Sequence, residues 1–226
     1  EYIAGLHLGV STDTQDITGN IVAESAALPD EAALREAIGR FIGDIEQIPP
    51  MYSAIKIGGK KLYELARRGE SVERAPRKIT VSAIDIAGRD GDDYILNISC
   101  SKGTYVRTLC SDIGEALGCG ACMSSLRRTR AGAFSVDEAH SLADIEAAAR
   151  EGRLSDIILP VDTLFAPFPK LTVSQSAAKR LKNGNIIKIS AEDGDYRVYS
   201  DPEEFLLLGR VEGGKLKTIK SFYEVS

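Results

Sequence analysis

Histidine is nearly missing from this chain, with His7 and His140 the only two among 226 residues. No Gly-x-Ser-x-Gly turn accompanies them, so a serine-hydrolase triad has neither its usual base nor its nucleophile elbow. Cysteine is scarce too, and Cys100, Cys110, Cys119 and Cys122 all fall in one short stretch. Such clustering argues against a distributed disulfide framework and for a reducing compartment, so a cytoplasmic protein is expected. Cys119-Gly120-Ala121-Cys122 is a C-x-x-C with no second pair, which argues against structural zinc. No apolar run approaches the roughly 18 residues that would cross a bilayer, so no membrane partner is expected. The opening Glu1-Tyr2-Ile3-Ala4-Gly5-Leu6 lacks an initiator Met and reads at once as a strand, and a segment upstream of it is expected.

Apolar residues make up 43% of the chain and charged residues 27%, enough to bury a real core and too apolar for disorder. At this length one large and one small domain are expected. The net charge of -5 hides an uneven distribution. Residues 1–50 hold 2 basic and 9 acidic side chains, residues 51–130 hold 14 and 9, and residues 131–226 hold 12 and 15. A polyanionic partner, if one binds, belongs on the basic middle.

Residues 2–10 alternate as a half-buried strand, and Ser11 to Gly19 follow as a polar loop able to bond its own backbone or to touch a substrate. Asp30 is expected to cap a helix bearing Ala33, Leu34, Ala37, Ile38 and Phe41. Met51 to Ile57 read as a strand, Gly58-Gly59 as a turn and Lys61 to Arg68 as a short helix. Lys78–Ala87 and Tyr94–Cys100 read as a hairpin. Thr104 is expected to cap a helix that runs to about Leu117 and closes at Gly118. Hairpins interspersed with helices predict an α+β fold on a mostly antiparallel sheet. Pro160, Pro167 and Pro169 suggest a linker, after which glycine spacing predicts a small all-β module. Domains are therefore expected at residues 1–167 and 168–226.

Two segments could carry chemistry. Ser101-Lys102-Gly103-Thr104-Tyr105-Val106-Arg107 joins a strand to a helix through a glycine turn, presenting backbone N–H groups beside Lys102 and Arg107. That suits a phosphate or carboxylate, although Gly103 could serve the turn alone and Arg107 could pair with Asp112 or Glu115. Tyr52 to Gly69 interleaves aromatics with Lys56, Lys60, Lys61, Arg67 and Arg68. Such surfaces bind RNA by phosphate contact and stacking, and an ordinary solvated hairpin would look the same. Leu126-Arg127-Arg128-Thr129-Arg130 adds guanidinium groups, with Arg127 and Arg128 on opposite faces of a strand.

Three ordered segments together carry a resemblance: Tyr2-x-x-x-x-x-Leu8-Gly9-x-x-Thr12-Asp13-Thr14-x-Asp16-x-x-Gly19, Pro49-Pro50-x-Tyr52-Ser53-Ala54-Ile55-Lys56, and Ser101 to Arg107. Asp112-Ile113-Gly114, Leu117 to Ala121, Leu126 to Thr129 and Leu181 to Gly184 extend it. The chain resembles the TruB family of bacterial tRNA pseudouridine synthases. The resemblance implies an isomerase, without cofactor or metal, that converts the T-loop uridine of tRNA (position 55 in tRNA numbering) to pseudouridine. It also implies a pseudouridine-synthase domain, a PUA-like RNA-binding domain after it, a tRNA T-arm partner and a monomeric state. By the same resemblance Tyr2 stacks on the flipped uracil, Tyr105 lines the pocket, Arg107 pairs with the nucleophilic carboxylate and Leu126 is an apolar pocket wall. Tyr52, Lys56, Lys60, Lys61, Lys102, Arg127 and Arg128 are the expected RNA contacts.

The family's Gly-x-Leu-Asp-Pro-x-Ala-x-Gly segment, which carries the nucleophilic aspartate, has no counterpart here. Asp201-Pro202 lacks its flanking residues. The expectation is a chain that holds most of the synthase and is inactive alone. Asp13, Asp16 and Asp112 are the fallback nucleophiles, with Asp13 and Asp16 expected to order their loop and Asp112 to cap or pair within its helix. A non-catalytic tRNA-binding or chaperone module, and a small-molecule enzyme built on the Gly103 turn, are the alternatives.

Overall fold

The computed structural model describes residues 1–223, in two compact units, Glu1–Ala139 and a second beginning at His140. The first contains β1 (Tyr2–Leu8), β2 (Val10–Thr12), β3 (Ile21–Glu24), α1 (Glu31–Gly39), β4 (Gly43–Gln47), β5 (Lys56–Ile57), β6 (Lys60–Lys61) and α2 (Leu62–Ala66). It continues with β7 (Arg77–Asp90), β8 (Asp93–Cys100), α3 (Val106–Ala116), β9 (Ala121–Arg128), β10 (Arg130–Ala131) and β11 (Phe134–Ser135). Its main sheet runs β4-β7-β8-β1-β9 with every pairing antiparallel.

The packing follows from side-chain period. Leu34 and Ile38 of α1 and Val106, Leu109, Cys110 and Ile113 of α3 join Ala4, Leu6, Leu96 and Ile98 from the central strands in one buried cluster. Asp30 caps α1 as expected, accepting from the Ala33 N–H at 2.9 Å. Gly5 sits where β1 shifts register against β9, and a Cβ there would lie 2.2 Å from the Ser124 hydroxyl oxygen.

Several local expectations are corrected. Met51 to Ala54 bend instead of extending, and only Lys56–Ile57 pair as strand, because the strand-like composition lies beyond the prolines as a strap rather than along a ladder. The hairpin of β7 and β8 is longer than expected, closing with Asp90 opposite Asp93. Thr104 does not cap α3: its hydroxyl donates to the Ser101 carbonyl at 3.0 Å, and Tyr105 holds the cap position without a side-chain bond.

The second unit contains α4 (Leu142–Arg150), β12 (Lys170–Val173), α5 (Gln175–Lys182), β13 (Ile187–Lys188), β14 (Gly194–Ser200), β15 (Glu204–Glu212) and β16 (Lys215–Ser221). Its sheet runs β12-β14-β15-β16-β13, with β12 and β14 parallel. Glycine spacing foresaw the strands and missed α5, whose Ala178 and Leu181 are buried against Val198, Leu207 and Leu216. The proline-spaced stretch that suggested a boundary at 167/168 lies inside this unit. Phe165 packs on Phe205 and Phe222 with ring centroids 6.1 and 5.2 Å away, and Arg197 donates to the Phe168 and Pro169 carbonyls. No helix among the described residues is long and apolar enough to cross a membrane.

Candidate nucleic-acid interface and reaction pocket

Pairing in the sheet places the first group of candidate residues. Tyr2 stands opposite Arg128 and Ile98, and Ala4 stands opposite Leu126 and Leu96. Residues opposite each other and two apart share a face, so Tyr2, Leu126 and Arg128 lie on the face that also carries Ala4, Leu96 and Ile98. Tyr2 packs at the margin of the cluster containing Val106 and Leu109 of α3. Leu126 is 47% exposed, an apolar side chain open to solvent. Arg128 lies with its guanidinium carbon 5.4 Å from the Tyr2 ring centroid and donates through Nε to the Tyr2 hydroxyl at 3.2 Å. Arg127, in register with Ile3, projects to the opposite face.

The second group sits at the start of α3. The Tyr105 N–H donates to Oε1 of Gln47 at 2.9 Å, and Nε2 of Gln47 donates back to the Tyr105 carbonyl at 3.1 Å. Arg107, in the first turn, donates to the Tyr52 carbonyl. A guanidinium has five N–H donors, so this bond leaves most of them for a carboxylate or phosphate. The pairing of Arg107 with Asp112 or Glu115 that spacing allowed is not formed. Gly103 takes φ +89°, so it serves the turn. Lys102 lines a groove with Lys78, Asp44 and Glu46, where two carboxylates offset two ammonium groups.

The third group forms a basic surface. Lys56 and Lys60 are exposed on the β5–β6 hairpin. Tyr63 has the Lys61 ammonium 5.4 Å and the Arg67 guanidinium 5.3 Å from its ring centroid, and Lys61 reaches the Tyr63 hydroxyl at 3.3 Å. Tyr52 is half-buried, and its carbonyl is the contact that ties this strap to α3.

The fallback nucleophiles separate cleanly. Asp13 accepts from the N–H and side-chain amide of Asn20 at 2.9 and 2.8 Å, bonds that hold its carboxyl below the ordinary value. Asp16 accepts from the Thr18 N–H and hydroxyl at 3.0 and 2.6 Å. Both order the Thr12–Gly19 loop, as expected. Asp112 does not cap or pair within its helix: burial, and then Glu115, push its carboxyl up to about 6. The buried thiols are poor nucleophiles, with Cys110 pushed up to about 12 and Cys122 to about 11, in each case chiefly by burial.

Two residues that sequence reasoning missed help hold this region. Gln47 is one, with 2% of its surface exposed. Gln15 is the other: at φ +63°, it accepts from the buried Thr108 hydroxyl at 2.7 Å, while its carbonyl accepts from the Met123 N–H at 3.0 Å. A lone glutamine carries no periodic signal, and the partners of these two lie 58 and 93 residues away.

Two protein-family models match consecutive parts of the chain. The TruB family pseudouridylate synthase N-terminal domain covers residues 1–106, and the tRNA pseudouridylate synthase B C-terminal domain covers residues 107–166. The tRNA pseudouridine synthase B of Burkholderia mallei (strain NCTC 10247) is 42% identical over 223 residues, spanning 95% of this chain and 74% of that protein. Its counterpart in Chromohalobacter salexigens is 43% identical over 224 residues, spanning 95% and 71%. Among solved structures, a chain of a Cbf5-Nop10-Gar1 complex superposes with a TM-score of 0.68 at 23% identity, covering 98% of this chain. A chain of an H/ACA RNP bound to a substrate RNA containing 2'-deoxyuridine gives a TM-score of 0.66 at 21% identity. Likeness at that identity is one of fold. The present chain spans 66% and 65% of those two chains, just under two thirds.

Proposed function

We infer function from family membership: the chain belongs to the TruB family of pseudouridylate synthases, and we propose that it serves the isomerisation of the T-loop uridine of tRNA to pseudouridine. The observation that carries the proposal is the anchored start of α3. There Tyr105 and Arg107 follow the Ser101–Thr104 turn that leaves β8, and α3 shares its apolar cluster with Tyr2.

The chemistry divides among these residues. A uridine in a folded loop must leave its stack before its base can be worked on. The aromatic face of Tyr2 takes the flipped uracil, with Tyr105 and the open side chain of Leu126 as walls. Arg107 keeps a carboxylate ionised and nucleophilic through the donors that Tyr52 leaves free. The N1–C1′ bond breaks, the uracil turns, C5 bonds to C1′, and the C5 proton is lost as N1 gains one. Tyr52, Lys56, Lys60, Lys61, Lys102, Arg127 and Arg128 hold the T-arm, chiefly through phosphates. Residues 168–226 form a PUA-like RNA-binding module in this reading, and the protein works as a cytoplasmic monomer.

The proposal assigns the nucleophile to none of these 226 residues, since Asp13 and Asp16 are committed to their loop and no segment matches the family's aspartate motif. The test uses tRNA labelled with tritium at uridine C5. The 226-residue chain should bind the T-arm and release no tritium, whereas a polypeptide that also carries the aspartate segment should release one equivalent per T-loop. Release by the 226 residues alone would return the nucleophile to Asp13, Asp16 or Asp112.

A further inference from the structure

We propose that Gln47 is a positioning residue for this reaction, acting on the pocket through the backbone of Tyr105. The inference rests on the proposed function. Gln47 is the last residue of β4, in register with Arg77 of β7, and its side chain is almost wholly buried. Its amide meets Tyr105 as one strand meets another, accepting from the N–H at 2.9 Å and donating to the carbonyl at 3.1 Å. The same carbonyl accepts the Leu109 N–H at 3.0 Å, the first bond of α3. Both polar groups of one peptide-chain residue are thus tied to a single side chain.

Position within the fold gives that tie its consequence. Tyr105 has no side-chain cap, so Gln47 is what sets its backbone where strand turns to helix. The same setting aims the tyrosine ring and orients the first turn that carries Arg107. A second tie comes from the same segment, since the Tyr52 carbonyl receives Arg107. Pro49 and Pro50 stiffen the path between the two ties, and Arg74 donates to the Pro49 carbonyl at 3.0 Å. The strap from Gln47 to Tyr52 therefore works as a two-point gauge for the pocket's tyrosine and arginine. Groups in a reacting pocket must be held to within a fraction of an ångström, so loss of one point costs turnover more than binding.

The test uses an active polypeptide that carries these residues together with the aspartate segment, with tritium release measured at saturating T-arm substrate. Gln47→Leu removes both bonds at similar volume, and kcat should fall about 10- to 100-fold while KM stays within about threefold. Exchange of the Tyr105 amide hydrogen should quicken in parallel. Gln47→Glu supplies the readout a merely structural role would not move. Its carboxylate accepts from the Tyr105 N–H and opposes the carbonyl, whereas the neutral acid donates to that carbonyl again. The ratio of variant to wild-type kcat should therefore rise as pH falls from about 8 to about 5.5. The charged groups beside Gln47 are guanidinium groups: Arg77 stands in register with it on β7, Arg74 donates to the Pro49 carbonyl and Arg107 to the Tyr52 carbonyl. Wild-type kcat in a folded Gln47→Leu, or a flat ratio for Gln47→Glu, would overturn the inference. If Gln47→Leu does not fold, the Gln47→Glu ratio decides alone. Wild type that releases no tritium would overturn the function itself, and this inference with it.

Discussion

At the scale of single residues, the site depends on groups whose side chains are partly spoken for. Arg107 spends one donor on Tyr52 and keeps the rest. On the proposed role of Arg107 beside the nucleophilic carboxylate, Arg107→Ala in an active enzyme carrying these residues should lower kcat by at least about 100-fold and leave T-arm affinity within about threefold. Lys56→Ala should do the reverse, weakening binding and reducing its salt slope by about one, as loss of one phosphate contact requires. Titrations across salt beside single-turnover rates would separate the two. Gln15→Ala leaves the buried Thr108 hydroxyl without its acceptor, and denaturant unfolding should report a loss of about 1–3 kcal/mol. Asp112 adds a pH dependence of definite sign. Its folded carboxyl titrates near 6 against an ordinary 3.8, so the folded state holds the proton more tightly between those values. The stability it contributes is complete below about pH 4 and is lost as pH rises through about 6. Asp112→Asn should therefore match wild type near pH 4 and exceed it at pH 7 by about 1 kcal/mol, once solvent screening of a half-exposed group is allowed for.

Elements place those residues, and the critical junction is α3 on the sheet. Gly114 faces the Gly120-Ala121 backbone so closely that a Cβ would lie 2.2 Å from the Ala121 nitrogen. Backbone cannot swing aside as a side chain can, so Gly114→Ala should push α3 off β9 and cost about 1–3 kcal/mol. Gly39→Ala is the control: it ends α1 with open space around it and should gain about 0.5–1 kcal/mol in the same unfolding assay. Sequence reading located α1, the β7–β8 hairpin and α3 because each repeats an apolar residue at its own period. It misread Met51–Ala54 and the cap at Thr104. Those outcomes turn on distant partners, the Arg107 bond to Tyr52 and the Gln47 bonds to Tyr105, which no local window contains.

The whole molecule carries a net charge of -5 and still presents its basic surplus between residues 51 and 130, around the pocket and the β5–β6 hairpin. Long-range repulsion from the acidic remainder is screened over about 10 Å at ordinary salt, so a polyanion near these residues meets the local surplus. Fold class, the basic middle and the family were all readable from the chain itself. Periodicity reports burial, composition reports charge, and several motifs in fixed order are a stronger signal than any one of them. The placement of the candidate residues came only with the folded chain. Tyr2 joins Arg128 across a strand pairing of 126 residues' separation, and Gln47 reaches Tyr105 across 58. Hydrogen bonds of that span are set by sheet order and register, which are properties of the packed whole and leave no periodic trace in the residues that make them.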